Sequence, residues 1–171
     1  MTAIQTESPS APAYGDPART GYAAEVVANA FLELARAEGR TLTQMQVNKL
    51  VFIAHGWALA LMGRPLTYNT FHAWQRGPVA PRLWEHWRTL GRQPIRETLP
   101  VSAAEPRLED DADALNLIRG IWATYGQKSG EELSNLTHLQ GSPWARTYGL
   151  SNDLIPNEIT REYYVDLLRG A

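Results

Sequence analysis

The chain has 171 residues, a formal net charge of −2 and no cysteine. The length suits one domain able to bury roughly 70% of its unfolded surface, so neither a disulfide nor a structural metal is needed for folding. The missing thiols exclude disulfides, thiolate zinc sites, iron–sulfur clusters and a cysteine nucleophile, and the near-neutral charge argues against strong attraction to nucleic acid or an anionic membrane.

Residues 1–21 are rich in Ser, Pro, Ala and Gly without periodicity, which reads as a flexible tail. The remainder, 22–171, reads as one helical domain. A first helix is expected from Tyr22 to Glu38, with Val26, Val27, Ala30, Phe31 and Leu34 on one face and Gly39 as its stop. Thr43 and Gln46 form a capping box, with Leu42 and Val47 placed as a hydrophobic staple. The helix they open, Gln44 to Met62, is apolar on nearly all faces and should be central. Within it Gly56 costs ~1 kcal/mol against alanine, so another element is expected to cross there. His55 reads first as a core imidazole with a hydrogen-bond partner and second as a charge switch.

Residues 64–80 break the helical pattern, and a small hairpin is expected near 66–76, with Gly77-Pro78 as a turn signal. Pro81 suits the first turn of a third helix reaching Leu90, with Leu83, Trp84 and Trp87 as its apolar stripe. Residues 92–109 read as a long loop. A fourth helix spans Asp111 to Tyr125. Ser129 and Glu132 form a second capping box, opening a short helix to about His138. A Gly-Ser-Pro-Trp turn at 141–144 and a last helix from Asn157 to Leu168 complete the chain. The expected fold is all-α: a compact single domain of about six helices, with room for one short hairpin.

No catalytic or metal-binding motif is present. His55, His72, His86 and His138 are scattered, and no H-E-x-x-H, phosphate-cradling glycine loop or nucleophile elbow occurs. The expectation is therefore no enzyme activity, no metal and no cofactor. No secretory signal or membrane-length apolar run is seen, which points to the cytoplasm. Six arginines (Arg76, Arg82, Arg88, Arg92, Arg96, Arg107) stand against three glutamates between residues 76 and 107. A solvated face explains them best, a protein partner next, and a nucleic-acid surface last.

Three segments taken together resemble the Panacea domain family, formerly a phage-associated domain of unknown function, whose members include SocA-type antitoxins. They are Leu42-Thr43 through Lys49-Leu50-Val51-Phe52-Ile53-Ala54-His55-Gly56-Trp57, then Ala73-Trp74-Gln75-Arg76-Gly77-Pro78-Val79-Ala80-Pro81, and finally Leu136-Thr137-His138 with Ser142-Pro143-Trp144. The resemblance covers residues 22 to about 168. Val51 and Ile53 stand where the family carries bulkier residues, and an extra residue or so separates His138 from Pro143. The resemblance implies a helical domain that binds and neutralises a cognate protein toxin, with some members acting as adaptors for a Clp-type ATP-dependent protease. Trp, Tyr and Arg dominate binding hot spots, so Trp74, Arg76, Trp84, Trp87 and Trp144 are the expected partner anchors. His55, Gly56, Trp57, Gly77, Pro78, Pro81, Thr137 and His138 are expected to build the scaffold beneath them. The alternative is a nucleic-acid-binding regulator using the arginines of 76–107.

Overall fold

A computed structural model describes residues 21–170. The tail expected over 1–21 lies outside the described residues except for Gly21. Helix α1 (Ala24–Ala37) buries Val27, Ala28, Phe31, Leu32 and Ala35 on one face. It ends in a Schellman arrangement: Gly39 N–H donates to Arg36 O and Arg40 N–H to Ala35 O, with Gly39 at φ +69°.

Strand β1 (Leu42–Thr43) leads directly into α2 (Gln44–Leu61), and the Thr43–Gln46 capping box is formed in both directions. Leu42 and Val47 are both buried. Helix α2 is the axle of the fold. Twelve of its 18 residues are buried, and it packs on α1, on α4 (Ala112–Tyr125), on α5 (Gly130–Thr137) and on α7 (Asn157–Gly170). At the α2–α7 crossing a Cβ on Gly56 would collide with the ring of the buried Tyr164. Trp57 meets the same ring edge-on at 5.2 Å.

The fold is not purely all-α. Seven helices and five short strands occur among the described residues. Strand β2 (Phe71–Trp74) lies between β3 (Gly77–Val79) and β5 (Leu154–Ile155), antiparallel to both, and β1 pairs with β4 (Pro94–Ile95). These strands are two to four residues long. They give extended backbone between helices the hydrogen-bond partners that burial demands, but they are too short to leave a pattern in the sequence. The hairpin lies later than expected, over Phe71–Val79. Helix α3 (Pro81–Trp87) is shorter than expected, with Pro81 in its first turn. The 141–144 segment is not a simple turn: Ser142 caps a further helix, α6 (Pro143–Thr147), accepting from Ala145 N–H at 3.1 Å.

The 92–109 loop is pinned to the body. Asn29 makes two hydrogen bonds to the Leu99 backbone, at 2.8 and 2.7 Å, and a 3₁₀ turn at Leu108–Asp110 buries Leu108.

Candidate functional site

The three sequence segments quoted above converge on the β2–β3 hairpin. Its register, Trp74 opposite Gly77, leaves Gln75 and Arg76 as a two-residue turn. The outer edge of β3 would expose backbone groups, and side chains from two helices complete it. Lys49 Nζ donates to Pro78 O at 3.2 Å, Ala80 N–H donates to Asn48 Oδ1 at 3.2 Å, and Ser134 Oγ donates to Arg76 O at 2.7 Å. Pro78 has no N–H to satisfy. Helices α2 and α5 thus occupy the place of a missing strand.

This closure explains Gly77. A Cβ there would lie 2.5 Å from Lys49 Cε and 3.0 Å from Thr137 Oγ1, and the residue sits at φ +119°. Lys49 is 1% exposed, and burial pulls its ammonium down to about 8. Thr137 is buried and donates to Ser134 O (2.8 Å), while its own carbonyl accepts from Ser142 Oγ (2.7 Å), joining α5 to α6.

An aromatic array rests on this frame. Trp144 Nε1–H donates to Trp74 O at 2.6 Å. The Trp144 ring lies between His138, stacked at 3.8 Å, and Tyr148, stacked at 4.5 Å. Trp74 meets Trp84 edge-on at 5.4 Å. Trp84 is 38% exposed and Tyr148 46%, and Arg76 is exposed at the hairpin tip. Leu139 and Leu150, also exposed, flank α6. Burial first, and then the Lys49 ammonium, holds the His138 imidazole below its usual range; a hydrogen bond with the Arg76 backbone opposes this.

Trp87 does not belong to this surface. It is 3% exposed. Leu83 and Trp87, four residues apart, share the inward face of α3, whereas Trp84 is rotated about 100° from Leu83. Trp87 is therefore a core residue and not an anchor. Sequence reasoning also passed over Asn48, Ser134 and Tyr148, which carry no motif of their own. The available signal was Lys49, a lone cation within an apolar run.

His55 lies apart from the array, 2% exposed, at the α2–α7 contact. Its Nε2 pairs with Asn157 Oδ1 at 2.8 Å, and its Nδ1 accepts from Thr67 N–H at 3.4 Å. An accepting Nδ1 assigns the proton to Nε2, the tautomer of a neutral ring. Burial pushes its pKa down to about 4, so it is a neutral core imidazole near pH 7 and not a charge switch. Of the 76–107 arginines, Arg82 binds the buried Glu25 at 2.5 Å and Arg107 lies 3.6 Å from Glu109. No group of three metal-ligating side chains comes together among the described residues. A small cavity of about 80 Å³, lined in part by Arg36, Arg40 and Arg96, lies beside β1 and β4 and touches the three segments only at Leu42.

Most of the buried frame and the half-buried Trp74 and Trp144 come from the same three segments, with the exposed Trp84 and Tyr148 just beyond them, and those segments find a counterpart in known proteins. A family model described as "Antitoxin SocA-like, Panacea domain" matches residues 47–145, more than half of the chain. The chain belongs to this SocA-like, Panacea-domain antitoxin family. The curated Antitoxin SocA of Caulobacter vibrioides (strain NA1000 / CB15N) is 31% identical over 130 residues, covering 71% of this chain and 68% of that protein. No solved structure matches. The family model spans a narrower range than the 22–168 expected from sequence, but it includes Lys49, the whole hairpin and the His138–Trp144 stack. The Panacea segments are thus a structural device: a hairpin locked by buried side chains, supporting an aromatic array that reaches the surface at Trp84 and Tyr148. No helix of the described residues is long and apolar enough to cross a membrane.

Proposed function

We propose that this chain neutralises a cognate protein toxin by binding it, through the aromatic surface formed by Trp74, Trp84, Trp144 and Tyr148 with Arg76 at its rim. The observation that carries the reading is the locked hairpin beneath these rings. Trp and Tyr supply contact area at low entropic cost when they are already fixed in place. Here Trp144 is held by a hydrogen bond and two stacked rings, and Trp74 and Trp84 brace one another. The reading includes, as a finer step, delivery of the bound toxin to a Clp-type protease.

The test is co-expression with the protein encoded by the adjoining reading frame. Trp74→Ala/Trp84→Ala removes the ring pair while leaving the Trp74 carbonyl that holds Trp144. The expected result is loss of co-purification and of growth rescue, with binding weakened at least about 100-fold, as two hot-spot truncations of ~2 kcal/mol or more would do. Far-UV circular dichroism should be unchanged. Undiminished rescue by the double variant removes this surface from the reading. Toxin levels in cells with and without the protease then separate sequestration from delivery.

A further inference from the structure

Two guanidinium groups bracket the Trp74–Trp84 pair. Arg76 lies at the tip of the hairpin that carries Trp74. Arg88 caps α3 four residues after Trp84, which places it on the same side of that helix. Both are exposed, and neither has an acidic partner within 4.0 Å among the described residues. Several acids on adjoining elements act on other cations. Asp153 pairs with His72 at 2.7 Å, Glu162 with Arg146 at 3.2 Å, and Glu85 acts on Arg82. The contrast within α3 is informative. Arg82 and His86 both converge on the buried Glu25 and so fasten α3 to α1, whereas Arg88, from the same short helix, holds no acid. The arginines that serve the fold are thus distinguishable from those that do not.

An edge-to-face tryptophan pair with one exposed ring, near two exposed guanidinium groups that have no acid within 4.0 Å among the described residues, has a defined complement. Guanidinium groups form forked hydrogen bonds with carboxylates, and they bind them more strongly where an aromatic wall keeps water away. We infer that the Trp74–Trp84 pair, flanked by Arg76 and Arg88, receives an acidic segment of the protein partner, an apolar side chain seated against the tryptophans and carboxylates on the two arginines. The inference rests on the toxin-binding reading above and adds the chemistry of what is bound. A phosphate-bearing nucleic acid would also meet two arginines, but the chain's net charge of −2 argues against strong attraction to a phosphate backbone.

The experiment uses the full chain and the product of the adjoining reading frame, with the dissociation constant measured by calorimetry at 50 and 500 mM NaCl. The variant is Arg76→Glu/Arg88→Glu. Both side chains are exposed and have no acid within 4.0 Å among the described residues, so its melting temperature should match that of the unmodified chain. The expected result is binding weakened at least about tenfold by the variant, and several-fold by salt for the unmodified chain only. Substituting Lys for the acids of the partner's docking segment should restore binding to the variant. Binding by the variant within twofold of the unmodified chain, with no salt dependence in either, overturns the acidic-segment inference and leaves toxin binding standing. No binding by the unmodified chain overturns the toxin-binding reading, and this inference with it. A duplex oligonucleotide that binds more tightly than the partner reassigns the arginines to nucleic acid.

Discussion

Gly56→Ala lowers stability by about 2–3 kcal/mol, although alanine is the better helix former by ~1 kcal/mol. The added methyl has no room. It would meet the Tyr164 ring, a rigid plane buried at the α2–α7 crossing, and the ring cannot swing aside as the end of a flexible chain would. The control is Gly120→Ala. Gly120 is also helical, in α4, but exposed, with nothing within 4 Å of a Cβ. There the propensity gain stands alone, and stability should rise by up to ~1 kcal/mol. The same chemical change thus carries opposite signs at two helical glycines, read by urea unfolding of each variant. Tyr164→Leu should be costly alone but tolerate Gly56→Ala, because the two sites share one space. Additive losses would show that Gly56 and Tyr164 do not share one space.

Stability should climb as pH rises from about 8 to 10.5, by about 3 kcal/mol relative to Lys49→Met. Lysine in an unfolded chain titrates near 10.5, whereas the Lys49 ammonium, stripped of water, is held at about 8. Below pH 8 both states carry the proton, and the folded state bears the full desolvation cost. Between the two values the folded chain releases its proton first and the cost fades. Above 10.5 neither state is charged. Methionine has similar reach and no charge, so the variant lacks this dependence. Tyrosines complicate the alkaline limb; Tyr22, raised to about 12 chiefly by burial, loses stabilisation as pH rises past 10. That loss is common to both proteins and cancels in the difference. Near pH 7, relief of the buried charge is offset by the Pro78 carbonyl left without a donor, a cost of about 1–3 kcal/mol. A difference that stays constant from pH 7.5 to 10.5 would mean that water reaches the amine.

The parts of the fold legible in the sequence are those whose causes are local. Thr43–Gln46 and Ser129–Glu132 are complete capping boxes within four residues, and both helices start where they predict. Gly39 stops α1 through its own positive φ. Gly56 announced a crossing because a helical glycine needs a reason, although nothing in the sequence named Tyr164, 108 residues further on, as the neighbour. The strands were hidden because two to four residues do not establish an alternation. Helix α6 was hidden because five residues show no period; Ser142 followed by Pro143 was a start signal without a body. Trp87 was misplaced because spacings of three and four both count as one helical stripe, and only the packing of α3 shows which residue of the pair faces inward. At the candidate site, Trp74, Trp84, Trp144 and Arg76 were visible as residue types, whereas Tyr148 was not. The Lys49–Pro78 and Ser134–Arg76 bonds, spanning 29 and 58 residues, belong to tertiary structure alone.

The closed edge of β3 bears on how this chain can meet another. Its main-chain groups are already satisfied by Asn48, Lys49 and Ser134, and on the far side of the sheet Leu154 N–H is taken by the Asn152 side chain at 3.1 Å. The β3 edge therefore offers no vacant ladder to template the addition of a foreign strand. Copies that accumulate ahead of their target therefore lack a seam for amyloid-like growth along β3, and discrimination between targets at this hairpin falls to side-chain identity, which point substitutions can retune without disturbing the backbone.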